Sequence, residues 1–503
     1  MRSSFFEFNV AISGTFTARA NLETISHNTA NAATAGFSRQ ISKNRATEPL
    51  AVNTGAGMVG TGSEAYAIER IRDEFLDMKY WTQKCVMGEY SGKMTQLTML
   101  ENIFAEMSGD SGLSALFNDF FNKASDLSTT ANDQTYRINI VHAADALAQS
   151  INFNGEALLK LQTDANTEFA VIINQINSFG EQIVSLNKQI TIAELDGSGA
   201  NDLRDERNRL VDELSGLVNL DATERHDKTY VVMINGYDFI NHNRINPLQL
   251  VERKPADRRN PMDADGLYDA RFTTNNVDFD IYHPGLKGQL KGVVDIRDGN
   301  GDAGNPATPT TRYKGIPYYM NKLNGMVRIF ALAIDQGLYA DNTPIPGVKG
   351  HANGYDLNGD HLGTLLFSYD NGPTNGALPP TFYTDDINCL NFGVNQTLKK
   401  EPALLNCSDD PTTGESAYNI TKGMMLVNTD SSIFREGKLN DYITAINSEM
   451  GIDARQASDF EASYGDATTM IDNQRINVSG VDLNEEMVKM IKYQQLYQAS
   501  AKL

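Results

Sequence analysis

Apolar side chains recur at helical spacing at both ends of the chain. Near the carboxyl end Phe460, Tyr464, Ala467, Ile471, Gln474, Val478 and Val481 step by four and three, the seam of a coiled coil. After a short break the stripe resumes as Leu483, Met487, Met490, Gln494, Tyr497 and Ala501, and the amino end offers Phe5, Phe8, Ile12, Leu22 and Ile25, interrupted by Thr15 and Arg19. Neither stripe can bury itself alone, so the pattern predicts termini that pack together or against other copies. The longest signal lies between. Ile140, Ala144, Leu147, Ile151, Asn154, Leu158, Leu161 and Ala165 alternate fours and threes, and one extra step of four leads on to Phe169, Ile172, Ile176, Phe179, Ile183, Leu186 and Ile190. A continuous helix here would run roughly 80 Å at 1.5 Å per residue. Asn154-Gly155 is the point at which it could divide in two.

Elsewhere the period changes. A helix with Leu203, Leu210, Leu214 and Leu217 on one face opens at Asn201. From Lys228, Tyr230, Val232 and Ile234 alternate with Val231 and Met233 before Asn235-Gly236, a hairpin signal, and Asp278 to Tyr282 reads as another strand. Leu323, Val327, Phe330 and Ile334 predict a helix, the Gly-, Pro-, Asn- and Asp-rich stretch from 340 to 428 a second β region, and Leu439, Ile443, Ile446 and Met450 a helix leading into the terminal stripe. The prediction is an α+β multidomain protein. It has a terminal helical coiled-coil domain (1–45 and 470–503), a long-helix stem (46–225, 286–340 and 429–469), a small β domain (226–285) and a loop-rich β insertion (341–428).

Composition narrows the chemistry. A chain of 503 residues exceeds one core, and 41% hydrophobic content excludes wholesale disorder. A net charge of −21 opposes nucleic-acid binding, which draws on Lys and Arg to neutralise phosphates. The first residues lack the apolar core of a cleavable signal, and no stretch approaches the ~20 apolar residues of a membrane span. Cys85, Cys389 and Cys407 are too few and too widely spaced for a disulfide framework or a zinc site.

Four local patterns suggest chemistry, and each has a plainer reading. Gly55-Ala56-Gly57-Met58-Val59-Gly60 matches the dinucleotide fingerprint, but alternation at Glu64, Tyr66 and Ile68 predicts that a strand follows where the fingerprint needs a helix, so a glycine-rich turn is expected. Gly109-Asp110-Ser111-Gly112 has the letters of a protease nucleophile loop yet lies between helical stretches. Asp298, Asn300 and Asp302, like Asp356, Asn358 and Asp360, have calcium-loop spacing without its Gly and Glu, and read as solvated turns. His351 and His361 lack a third ligand, and His27 reads as a hydrogen-bonding residue at a helix end. No catalytic, cofactor or metal site is expected.

Ser26-His27-Asn28-Thr29-Ala30-Asn31-Ala32-Ala33-Thr34-Ala35-Gly36-Phe37-Ser38-Arg39-Gln40 resembles the amino-terminal signature of the flagellar axial proteins, with an ending similar to their hook-associated members. Val478 to Met487 and Ile491 to Lys502 are similar to that family's carboxyl terminus, and Asn201 to Leu214, Gly285 to Gly292 and Gly354 to Gly359 resemble its middle segments. Thr29, Ala35 and Phe37 stand where the family usually has Ile, Pro and Tyr. Asp482 and Glu485 have the spacing of an N-cap and its N3 partner, so the last helix should start at Asp482.

The resemblance implies a structural, non-catalytic component of the bacterial flagellum at the junction of hook and filament, without cofactors, nucleic acid or membrane insertion. It implies self-association in an axial helical lattice and contact with the hook protein and the third hook-associated protein. It also implies export through the flagellar secretion channel and an export chaperone on the carboxyl-terminal helix. Hook protein or the third hook-associated protein is the alternative within the family, and a secreted hydrolase or adhesin the alternative outside it. The expected assembly residues are Phe8, Ile12, Leu22, Ile25, Asn28, Asn31 and Gly36 with Val481, Leu483, Met487, Met490, Ile491, Gln494 and Tyr497. In the expected antiparallel pair Met487, Met490 and Ile491 meet Ile12, Leu22 and Ile25.

Overall fold

The computed structural model describes residues 5–51, 57–108, 112–302, 308–370, 372–411 and 418–502. Helix α1 (Phe5–Ala30) is followed by a ribbon of strands β1 (Gln40–Ala46), β2 (Leu50–Ala51), β3 (Met58–Val59) and β4 (Ser63–Arg70). β1 pairs with β4 and β2 with β3, both antiparallel. Helices α2 (Glu74–Ser108), α3 (Leu113–Leu127), α4 (Gln134–Ala193) and α5 (Asn201–Leu217) come next.

The 60 residues of α4 form one uninterrupted helix, about 90 Å long at 1.5 Å per residue. Its stripe is buried at every predicted position from Ile140 to Ile176. The possible division at Asn154-Gly155 does not occur, because packing overrides the local preference. A side chain at Gly155 would fall 2.9 Å from the carbonyl oxygen and the Sγ of Cys389, so glycine admits that loop to the helix surface.

The extra step of four at Ala165 marks where α4 changes cores. Up to Leu161 its buried side belongs to one apolar cluster, and from Ala165 to another. Between them Gln162 donates to Asp263 Oδ1 at 2.8 Å, and Asn166 accepts from Tyr268 N at 2.8 Å. Buried polar groups are tolerated at this seam because they are bonded.

The second core lies under a β lobe. β5 (Leu220–Glu224), β6 (Tyr230–Ile234), β7 (Tyr237–Asn241) and β8 (Arg244–Ile245) form one antiparallel sheet, and β9 (Leu248–Glu252), β10 (Tyr268–Phe272) and β11 (Asp278–Phe279) a second. Asn235 (φ 45°) and Gly236 (φ 81°) make the predicted hairpin turn, both in the left-handed region such a turn requires. The strand expected over 278–282 stops at Phe279. Tyr282 instead donates to Asp298 at the end of α6 (Gln289–Asp298).

The first core gathers α3, α7 (Ile316–Gln336) and residues 341–428. Among its described residues that last region, expected to be β-rich, has two short strands, β12 (Phe367–Tyr369) and β13 (Phe392–Val394), with α8 (Thr381–Asp385), α9 (Gln396–Lys400) and α10 (Asn419–Thr429). Its apolar side chains form a wall of the core: Phe367 stacks on Phe392 at 4.8 Å and meets Phe330 of α7 at 5.3 Å. Helix α11 (Leu439–Ser479) starts in this core and ends beside the chain termini, and α12 (Leu483–Ala501) follows.

The seam predicted over 460–481 finds its partner in α2. Phe460 and Tyr464 lie 4.9 and 5.9 Å from Tyr90, and Arg475 pairs with Asp77 at 2.9 Å and Asp212 at 2.7 Å. Helix α12 is left to pair with α1, beside the β1–β4 ribbon.

Candidate assembly site at the chain termini

Helices α1 and α12 run antiparallel. Asn28 meets Glu486 near one end of the pair, and at the other Gly14 approaches Ser500 so closely that a Cβ would stand 2.9 Å from its Oγ. Asp482 caps α12 as predicted, accepting from Asn484 N at 2.8 Å and Glu485 N at 3.3 Å. The Glu485 carboxylate turns outward to Arg39 and Lys489.

The predicted contact face is displaced. Of the expected residues Ile25 and Asn28 are buried, and Ile12, Leu22, Asn31, Val481 and Met490 are half-buried. Phe8, Gly36, Leu483, Met487, Ile491, Gln494 and Tyr497 are exposed, Phe8 at 54%, Met487 at 52% and Ile491 at 57%. Of Met487, Met490 and Ile491, expected to meet Ile12, Leu22 and Ile25, Met487 and Ile491 keep about half of their surface exposed. The buried line on α1 is instead Ala11, Ala18, Asn21, Ile25 and Asn28, and α12 turns Glu486, Lys489 and Tyr493 toward it.

The β1–β4 ribbon packs against the polar side of α1. Thr17 donates to Ser63 O at 2.9 Å, Ser63 N donates to Ser13 Oγ at 3.2 Å, and Asn21 meets Asn44 at 3.3 Å. A helix carrying a strand ribbon and a second helix at such short range needs small and polar residues on its inner face. The large apolar ones are left outside.

A polar hub ties this pair to the stem. Asn28 Nδ2 donates to Gln40 O at 2.9 Å and to Glu486 Oε2 at 3.0 Å, while its Oδ1 accepts from Gln40 N at 2.9 Å. Arg39 Nη2 donates to Glu485 at 2.9 Å, its Nε lies 3.0 Å from the Glu486 carboxylate, and its backbone N donates to Ser479 O at 2.7 Å. Gln40 Nε2 donates to Asp202 Oδ1 at 2.7 Å, and His27 Nε2 lies 3.1 Å from the same oxygen. Ser38 N donates to Asp205 Oδ2 at 2.7 Å, and Arg70 to Asp205 Oδ1 at 2.8 Å. Three motifs far apart in sequence thus meet at one joint. Ser38, Arg39, Gln40, Asp202, Asp205, Glu485 and Glu486 carry it, and none was among the expected assembly residues; their signal was that each lay inside a quoted motif.

The other candidates resolve differently. Gly109, Asp110 and Ser111 lie outside the described residues, as do Gly55 and Ala56, and a strand, β4, follows the glycine-rich segment. Neither calcium-type loop opens on a solvated aspartate. Asp298 is fully buried between Arg253 and Arg297, which hold its carboxyl well below the usual carboxylate range, and Asp356 is buried with Oδ1 accepting from Asn358 N and Asp360 N. Burial pushes the thiols of Cys85 and Cys389 up to about 12, leaving them unreactive. Among the described residues no group of three or more His, Cys, Asp or Glu could hold a metal ion, and no helix is long and apolar enough to cross a membrane.

Comparison with known proteins identifies a family. Residues 97–367 match the family model for the flagellar hook-associated protein FlgK helical domain, and residues 472–503 the model for the flagellar basal body rod FlgEFG protein C-terminal region. Flagellar hook-associated protein 1 of Bacillus subtilis is 26% identical over 100% of this chain and 96% of its own length. The Escherichia coli protein of that name is 23% identical over 98% and 96%. A solved flagellar hook junction protein FlgK from Burkholderia pseudomallei aligns with 59% of this chain and 47% of its own at TM-score 0.45 and 19% identity. With the helical-domain model covering more than half of its length, the chain belongs to the flagellar hook-associated protein FlgK family.

Proposed function

We propose that this chain is a structural protein of the flagellar axis that joins hook to filament, with its two ends, 1–45 and 470–503, acting as one assembly domain. The observation that carries this reading is the outward face of the terminal helix pair. Phe8 and Phe16 on α1, and Leu483, Met487, Val488, Ile491 and Leu496 on α12, are exposed. Patches of this kind mark protein contacts. Neighbouring copies would cover them by heterologous contacts, two unlike patches joining at each step, which propagate as a helix. The stem (46–225, 286–340 and 429–469), the β lobe around 226–285 and the region 341–428 would then lie further from the axis. The same face of α12 suits an export chaperone before assembly, and the FlgK family points to export through the flagellar channel with hook protein and the third hook-associated protein as neighbours.

The test is Met487→Asp. The side chain is exposed, so the monomer keeps its fold and its circular dichroism. The charge would lie in the subunit contact, and incorporation onto isolated hooks falls at least about tenfold, since an unpaired charge buried at a contact costs several kcal/mol. Incorporation at the wild-type rate would remove this face from the assembly.

A further inference from the structure

A second feature lies beside the hub. Between the end of β4, the first turns of α2 and α5, and strand β5 is a cleft of about 600 Å³. Its walls carry Arg70, Arg72, Arg204 and Arg207, its rim Arg225 and His226. The wall arginines have internal partners: Arg72 pairs with Asp77 at 2.6 Å, Arg204 with Glu194 and Glu224 at 2.7 and 2.8 Å, and Arg207 with Glu224 at 2.8 Å while lying 3.7 Å over the Tyr230 ring. Arg70 shares Asp205 with the backbone N of Ser38. Its other hydrogen-bond acceptor is neutral: the Asn208 amide oxygen, turned as the arginines require, accepts from Arg70 Nη1 and Arg72 Nε at 3.1 Å.

The compensation is uneven. Arg204, with two carboxylates, is held above its ordinary value, whereas Arg70 is held below it by burial and by the nearby charges of Arg72 and Arg207. Arg225 is exposed at the mouth, and among the described residues its guanidinium makes no ion pair; its charge is felt at the neighbouring Asp227. An entering carboxylate would find an under-compensated guanidinium on the wall and an unpaired one at the rim. A second copy of the chain, with 64 Asp and Glu against 43 Lys and Arg, offers carboxylates in excess, and the cleft adjoins the joint through Ser38, Asp205 and Arg70.

We propose that this cleft receives acidic side chains of a neighbouring copy of the chain, gripped by Arg70 and Arg225. The inference rests on the reading that copies associate along an axis, but the cleft can be tested on the monomer. Trp81, the single tryptophan of the chain, lines it and donates Nε1 to Asp212 at 2.6 Å, so its emission reports occupancy.

The experiment titrates the full-length monomer with an oligoglutamate peptide, following Trp81 emission and, in parallel, heat by calorimetry, at low and high salt. Saturable binding that weakens with salt is expected, about fivefold weaker in Arg225→Glu, with that variant also slower to join hooks. No binding by either measurement overturns the proposal, and so does equal binding of oligolysine. Inorganic phosphate binding as tightly as the peptide would make the cleft a small-anion site and overturn the assigned occupant. Wild-type protein that binds the peptide yet never joins hooks would overturn the junction reading and, with it, the neighbouring copy as occupant. Wild-type protein that joins hooks, with Arg225→Glu joining equally fast, would overturn the cleft alone.

Discussion

Asn28 donates its side-chain amide to the carboxylate of Glu486 at 3.0 Å, across 458 positions of sequence. The same amide group also brackets the backbone of Gln40, so one buried asparagine holds the first helix, the first strand and the last helix together. Glu486 is buried and lies against Arg39 and Lys489, an arrangement in which removing one member strands the others.

Glu486→Ala should therefore release α12 from α1 without unfolding the stem. Amide exchange across residues 483–501 is expected to speed up at least about tenfold, the loss of roughly 2 kcal/mol of bonding to charged groups. Exchange in α4 stays as in the wild type. Unchanged protection of α12 would mean the hub does not hold the ends.

Replacing Gly155 by leucine forces a side chain against Cys389 where even a Cβ stands 2.9 Å from backbone oxygen. A loss of about 1–3 kcal/mol in chemical denaturation is expected, since overpacking outweighs the gain of about 1 kcal/mol in helix propensity. A stabilised variant would show that the loop around Cys389 yields freely.

Asp298 is held by Arg253 at 2.8 Å and Arg297 at 2.6 Å, all fully or almost fully buried. Asp298→Ala leaves two buried guanidiniums without their shared carboxylate and should cost about 3–5 kcal/mol, read as a lower denaturation midpoint. Arg253→Met combined with Asp298→Asn, which empties both sides of one pair, should cost less than Asp298→Ala alone.

His351 is fully buried, with Nδ1 at 2.7 Å from Thr364 O and Nε2 accepting from Asn406 N at 2.9 Å, which requires a neutral ring. Burial lowers its pKa to about 4, so the unfolded chain takes up the proton first as pH falls. The stability contribution is complete above about 6.5 and is lost as pH drops from there toward 4, by roughly 3 kcal/mol in all. Denaturation midpoints measured at pH 7 and 5 should separate less in His351→Gln than in the wild type; equal separation would place the pH sensitivity elsewhere.

Local rules reached as far as local interactions reach. The stripe of α4 read correctly because burial repeats every turn along one face, and even its stutter at Ala165 had meaning, as the handover between two cores. Asp482 could be read as a cap, and Asn235-Gly236 as a turn, because each answers to backbone groups within a few residues. Local spacing could not reveal that Asp298 would sit between two arginines, one of them 45 positions away, since charge partners leave no periodicity.

The sequence by itself determined that this chain has helical ends, a long central rod, a β hairpin at Asn235 and the motifs of an axial flagellar family, because propensity, periodicity and motif are all written in consecutive residues. Only the tertiary structure decided which face of each terminal helix turns inward. The β1–β4 ribbon takes the Ser13, Thr17 and Asn21 side of α1 and α12 the neighbouring side at Gly14 and Ile25, so small and polar residues from Ala11 to Asn28 make the contacts while Phe8, Met487 and Ile491 remain outside. A stripe states that a helix needs partners. Which partner meets which face depends on what else competes for the space, and that competition is settled only when distant segments are packed together.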